Sequence, residues 1–236
     1  MANSILVLGN SGQGKSSSMF PNKDLGIKGL NPEETFIINV AKKPLPFRGY
    51  KKYYQEFDRQ TKKGNLLNSN SASEIINYIT NIPKLGKFKN IIIDDANYLL
   101  TGEYMNRAKE TGFSKFTDLA KNFYDVLTAG INLPDDINFI MFAHTEIEEG
   151  AYKIRTVGKL IDSQINPNGF FTYCLVSSTY VDTEGKTVYG FYTNSTRDDR
   201  GIVVPAKTPY GVFKDLIIAN DMGLVIEEIE KYNQGE

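Results

Sequence analysis

Between positions 4 and 17 the chain reads SILVLGNSGQGKSS, and this stretch limits its possible folds more than any other. Residues 5–8 are four apolar residues in a row, the length of a short buried strand. Gly9, Gly12 and Gly14 then let the backbone turn tightly. Lys15 and Ser16 open a helix that Pro21 stops near Met19. The pattern G-x-x-x-x-G-K-S/T, filled here by residues 9–16, is that of a phosphate-binding loop. Consecutive backbone N–H groups in such a loop wrap an anion, glycine leaves no Cβ in the way, and the new helix points its positive end at the charge. The predicted nucleotide contacts are Asn10, Ser11, Gly12, Gln13, Gly14, Lys15, Ser16 and Ser17. Lys15 would reach the β- and γ-phosphates, and the Ser16 hydroxyl would ligate Mg²⁺.

Composition allows one domain with a real core: 236 residues, 41% hydrophobic and 23% charged. A formal net charge of −1 gives no global attraction to nucleic acid, so any such contact must come from a local patch. The one cysteine, Cys174, lies in an apolar run and reads as a buried thiol, which suits a reducing cytoplasm. No signal peptide and no apolar run near eighteen residues is present, so no membrane contact is expected. Residues 60–73 (QTKKGNLLNSNSAS) read as a polar surface loop.

Further along, residues 35–40 (TFIINV) predict a second strand, and Ser71 with Glu74 a capping box ahead of a helix. Residues 90–95 (NIIIDD) look like a buried parallel strand that carries a carboxylate to its C-terminal edge, where ligands bind in open α/β sheets. This is a Walker B arrangement, in which Asp94 holds Mg²⁺ opposite Ser16. Asp95 takes the slot of a water-activating acid or caps the next helix; the sequence leaves both open. A helix over 97–111 is broken at Gly112. Phe116, Leu119, Ala120, Phe123, Val126 and Leu127 then mark the buried stripe of another. Between the two, Arg107, Lys109, Phe113 and Lys115 are candidates for a DNA-facing loop or, with Glu103 and Glu110 beside them, for a plain solvated surface. Residues 137–143 form a strand ending in His144, the only histidine, placed as a γ-phosphate sensor or bonded to a local carbonyl.

Residues 170–181 and 187–193 predict strands joined by a turn at 182–186, and helical segments follow near 212–220 and 224–232. A polar-tipped strand after Walker B suits ATPases that insert it between the A and B strands. No N-K-x-D string is present to read guanine, so ATP is favoured over GTP.

The strings TFIINVAKKPLPF (35–47), NIIIDDANYLL (90–100), NRAKETGFSKFTDLA (106–120), FAHTE (142–146) and IRTVGKLID (154–162), with the phosphate loop, resemble a bacteriophage family of RecA-like P-loop ATPases of the Sak type. That family is associated with single-strand annealing and recombination of phage DNA. The resemblance covers nearly the whole chain. It implies a single α/β domain over 1–236 with a mostly parallel sheet flanked by helices. Its core would span 1–165, and a C-terminal antiparallel hairpin and helices 166–236. It also implies Mg-ATP binding, with Lys15 on the phosphates, Ser16 and Asp94 on the metal and His144 at the sensor position. Asp95, read from its own place after Asp94, joins Lys15 and His144 as the catalytic set or, failing that, hydrolysis is slow. The implied partners are single-stranded DNA, further copies in a ring or filament, and phage or host replication and recombination proteins, all in the bacterial host cytoplasm. Arg155 and Lys159, which follow the sensor strand, and Arg197 are the candidate cations reaching a neighbour's ATP. The chain departs from the RecA pattern at two points. The second strand ends Val40-Ala41-Lys42-Lys43 with no glutamate, and the first starts at Ser4 with no polymerising helix expected before it.

Overall fold

The computed structural model describes residues 1–112, 114–157 and 165–236. Its centre is an eight-stranded sheet. In chain order the strands are β1 (Asn3–Leu8), β2 (Thr35–Asn39), β3 (Leu66–Asn68), β4 (Asn90–Asp94), β5 (Asn138–Ala143), then β8 (Tyr173–Val181), β9 (Thr187–Tyr192) and β12 (Ile217–Ala219). In space the order is β12-β9-β8-β1-β5-β4-β2-β3. The six strands from β8 to β3 are parallel, and β9 and β12 close one side antiparallel. β5 therefore lies between β1 and β4, as the polar tip of its sequence predicts. The sheet also runs through the expected division at 165, because β8 pairs directly with β1.

Alternation along β1 shows why the strands read as continuous apolar runs. Leu6 and Leu8 enter one core, and Ile5 and Val7 the other. The first core is covered by α1 (Ala72–Asn81), α2 (Asn97–Asn106) and α3 (Ser114–Ile131). Leu119, Phe123, Val126 and Leu127 form the predicted stripe of α3, while Phe116 is half-buried against Tyr104. The second core is closed by α4 (Met222–Gln234) together with Met19 from the turn after the glycine loop and irregular chain that supplies Leu30, Leu45 and Tyr54. Asp221 starts α4. Its buried carboxylate accepts from the Lys28 and Gly29 backbone N–H groups as well as from Gly223 and Leu224, which fixes the helix to the 28–29 turn.

A second sheet of four strands rides on the edge: β6 (Thr145–Glu148), β7 (Ala151–Ile154), β10 (Thr196–Arg197) and β11 (Val203–Val204). β6 and β7 are a hairpin turned at Glu149 and Gly150, both at positive φ, and it leaves directly from the end of β5. Three sequence expectations change. Residues 212–220 are turn and strand rather than helix, because Ile217–Ala219 pairs with β9 as an edge strand. The strand expected over 170–181 begins only at Tyr173, after a short helix Pro167–Phe170. The 60–73 loop contains β3, whose Leu66 and Leu67 are buried beside β2. Among the described residues no helix is long and apolar enough to cross a membrane.

Candidate functional site

The C-terminal ends of β1, β4 and β5 meet at one edge of the sheet, and the glycine loop crosses it. Gly12 and Gly14 both have φ +81, a backbone that side chains rarely adopt. A Cβ on Gly14 would also lie 2.8 Å from Asn220 Oδ1. Among the described residues, the backbone N–H groups of Gly12, Gly14, Lys15 and Ser16 have no hydrogen-bond partner. Gln13 holds the loop by accepting from Asn10 N at 2.6 Å. The helix that follows is a single 3₁₀ turn, Ser16–Met19. The dipole of so short a helix is small, so the loop amides themselves carry most of the attraction for an anion.

Lys15 is buried, and its ammonium donates to Gly9 O at 2.7 Å and Asn10 O at 2.9 Å. Burial lowers its pKa to about 8, against the opposing pull of Asp95 and Asp94. The Ser16 hydroxyl donates to Asp94 Oδ1 at 2.8 Å, which joins two motifs 78 residues apart. The other Asp94 oxygen, Oδ2, is buried without a partner. Burial, with the charge of Asp95 added, pushes the Asp94 carboxyl up to about 6. A hydroxyl and a buried carboxylate with bonding capacity to spare fit one side of a Mg²⁺ ion whose other ligands are water and phosphate oxygens. Among the described residues there is no larger cluster of metal-binding side chains.

Asp95 turns out of the strand with φ +60. Its side chain does not cap α2; the capping position falls on Ala96, which offers no side-chain bond. The carboxylate instead accepts from His144 Nε2 at 3.0 Å and pairs with the ammonium of Lys43. Burial works against its charge, but those two bonds outweigh burial and hold it down at about 2. With His144 Nε2 donating to Asp95, Nδ1 is an acceptor and faces Lys15 Nζ at 3.5 Å. One chain of contacts thus links Lys15, His144, Asp95 and Lys43. Lys42, at φ +56, is a second strained position at this edge, and each costs about 1–2 kcal/mol.

Lys43, Asn97 and Thr145 are the members that the sequence reading missed. Asn97 donates to His144 O and Arg155 O and accepts from His144 N, so α2 latches the end of β5. Thr145 donates to Asn10 Oδ1 at 2.9 Å and ties β6 to the glycine loop. Only Lys43 left a sequence signal, a cation at the end of a strand that terminates on the ligand edge.

The remaining candidates lie on the loop itself or away from this cluster. Ser11 and Asn10 are exposed on the loop, and Ser17 follows it. Arg155 has an exposed side chain, and Arg197 donates to Gly201 O at 2.7 Å within its own turn. Lys159 and Phe113 fall outside the described residues. The proposed DNA-facing cations divide. Arg107 is held by Glu103, Glu110 and Asp118. Lys115 is buried, donating to Glu110 O and lying over the Tyr104 and Phe116 rings, so it does not face outward. Lys109 alone is exposed.

On the β8 side of the glycine loop, away from Asp94, opens a cleft of about 480 Å³ lined by Gly9, Gln13, Ser177, Tyr180, Tyr192 and Arg200 among others. No protein-family model matches this chain, and no curated protein matches it.

Proposed function

We propose that this chain is a RecA-like P-loop ATPase that binds Mg-ATP and acts on single-stranded DNA in phage recombination and annealing. The observation that carries the nucleotide part of this reading is the Ser16–Asp94 hydrogen bond at 2.8 Å. The hydroxyl of the G-x-x-x-x-G-K-S loop and the carboxylate that ends the Ile91–Ile93 strand are in direct contact, which supports one hydrated cation touching both.

In this reading the free amides of Gly12, Gly14, Lys15 and Ser16 take the β-phosphate. Lys15 leaves the carbonyls of Gly9 and Asn10 for the β- and γ-phosphate oxygens, and the base and ribose enter the cleft beside β8. Ser16 and Asp94 would hold Mg²⁺, which would supply charge neutralisation on the phosphoryl oxygens. Asp95, kept ionised by His144 and Lys43, orients the attacking water as a hydrogen-bond acceptor. His144 touches both Lys15 and Asp95, so it can register whether a γ-phosphate has drawn Lys15 forward.

A second reading has its own support. β2 ends at Asn39 with no acid beyond it, and both oxygens of Asp95 are already engaged. Slow turnover, as in a nucleotide-dependent switch or a loader of a replication protein, fits those facts. Phosphate release measured with and without single-stranded DNA separates the two, run beside Lys15→Ala and Asp95→Asn. DNA-stimulated turnover that both variants abolish supports the recombination ATPase. Tight ATP binding with negligible turnover overturns it in favour of the switch.

A further inference from the structure

We infer that residues 42–53, in the connection between β2 and β3, form a track for single-stranded nucleic acid that is wired to the hydrolytic site through Lys43. The sequence there, KKPLPFRGYKKY, carries Lys42, Lys43, Arg48, Lys51 and Lys52 and no acid, in a chain whose net charge is −1. It is the local basic patch that the overall charge balance requires of a nucleic-acid binder.

The structure distinguishes these cations from the others. All five side chains are exposed. Among the described residues only Lys43 has a carboxylate partner, Asp95, while Lys42, Arg48, Lys51 and Lys52 have none. The other basic cluster, around Arg107, is the reverse: its arginine holds three carboxylates and its Lys115 is buried.

The segment is anchored, not loose. Leu45 and Tyr54 are buried in the second core, and Phe47 stacks on Phe20 with ring centroids 4.3 Å apart and planes within 2°. Tyr50–Lys52 is a 3₁₀ turn entered through Gly49 at φ +75. This geometry presents Tyr53, 51% exposed, beside the basic side chains, with its ring edge-on to Phe20 at 5.2 Å. Cations that follow a phosphate backbone, with aromatic faces held among them, suit unpaired bases; a duplex keeps its base faces stacked inside. The recognised chemistry is therefore a single strand, of DNA or RNA.

The wiring is short: one ion pair and one hydrogen bond. Lys43 lies at the start of the track and pairs with Asp95, and Asp95 bonds His144. A phosphate backbone on the track competes for Lys43 and frees one oxygen of Asp95 for water. This link to turnover rests on the ATPase reading; strand binding itself does not.

The test is fluorescence anisotropy with fluorescein-labelled oligothymidylate and oligouridylate over a salt series, on the full chain. The variants are the triple Arg48→Ala/Lys51→Ala/Lys52→Ala, Tyr53→Ala, and Lys109→Ala for comparison. The triple variant is expected to bind at least about tenfold more weakly, with a log–log salt slope shallower by about 2, at roughly 0.7 per phosphate contact. Tyr53→Ala should weaken binding about fivefold or more, and Lys109→Ala should leave it unchanged. Basal hydrolysis of the triple variant should equal that of the unmodified chain, with stimulation by the strand lost. Unchanged affinity in the triple variant overturns the inference while leaving the ATPase reading intact, and so does equal affinity for a duplex of the same length. Failure of the unmodified chain to bind either oligonucleotide removes the track and the nucleic-acid part of the proposed function together. Phosphate release without oligonucleotide still reads the ATPase part on its own.

Discussion

Two clusters of charge in this molecule are built in opposite ways. At the junction of α2 and α3, Arg107 reaches Glu103, Glu110 and Asp118 at once, near the surface, and the three carboxylates share its guanidinium. At the sheet edge, Lys15, Asp94, Asp95, Lys43 and His144 are crowded among buried groups, and one oxygen of Asp94 is left over. The first cluster closes on itself and serves the fold. The second puts two carboxylates side by side in poor solvation, a cost that a self-contained protein has no reason to keep. A buried carboxylate oxygen that the fold leaves unbonded is available to a ligand.

Removing the Asp95 carboxylate should have the largest effect. In Asp95→Asn, turnover is expected to fall about a hundredfold or more, as when a positioned acid–base group is lost. The same change should lower stability near neutral pH. A carboxyl depressed from 3.8 to about 2 stabilises the fold above its ordinary pKa, and that contribution fades as pH falls from about 4 towards 2. The corresponding loss is about 2 kcal/mol, read by urea unfolding at pH 7. Unchanged hydrolysis in this variant would move the water-orienting role elsewhere.

Its neighbour should respond with the opposite sign. Asp94 is raised from 3.8 to about 6, so the folded state holds its proton while the unfolded chain loses it, and the resulting cost to stability builds between about pH 4 and 6 and is complete above 6. Without nucleotide or Mg²⁺, Asp94→Asn should therefore stabilise the chain at pH 7 by up to about 3 kcal/mol. The gain should shrink as pH drops through 6 and vanish below about 4. The amide keeps an acceptor for Ser16 but loses the charge for Mg²⁺, so metal-dependent nucleotide binding should be lost as stability rises. A destabilised Asp94→Asn would show that the pair is structural, like the α2–α3 cluster.

The pH profile of the unmodified chain sharpens the same contrast. In the proposed ATPase reading a metal would compete with the proton for Asp94, so kcat/KM for Mg-ATP should fall tenfold per unit below about pH 6. Asp95 stays ionised to about 2, so a single acid limb is expected across the range in which the protein is folded.

Much of this edge is legible in the sequence, because strands buried on both faces leave unbroken apolar runs. SILVLG and NIIIDD announce both the strands and the polar residues that their ends deliver. The place of β5 follows from one polar tip, His144. What stays hidden depends on contacts across the chain. One of the two partners that hold Asp95 is Lys43, 52 positions earlier, and nothing local marks it beyond its strand end. The Ile217–Ala219 segment reads as helix by itself and becomes strand because β9 offers an unpaired edge, with Gly190 opposite Ala219 leaving room. The capping box at Ser71 is half realised. Ser71 accepts weakly from Glu74 N at 3.5 Å, while the Glu74 carboxylate goes to Arg59 and Ser69. A carboxylate with a cation in reach leaves the backbone to other partners.

The smallest effect belongs to the closed cluster. Arg107→Ala removes three ion pairs, but their partners Glu110 and Asp118 are open to water and rehydrate when the guanidinium is gone. The Glu103 oxygen that faced Arg107 keeps a donor in Asn122, at 2.8 Å. A drop in Tm of a few degrees at most is expected, with turnover and strand binding as in the unmodified chain. Because exposed pairs are screened, even that drop should fade as salt is raised. A marked loss of strand binding in Arg107→Ala would mean that the arginine leaves its three carboxylates for a phosphate. The cluster would then be a second ligand site, and the distinction between the two corners would fall.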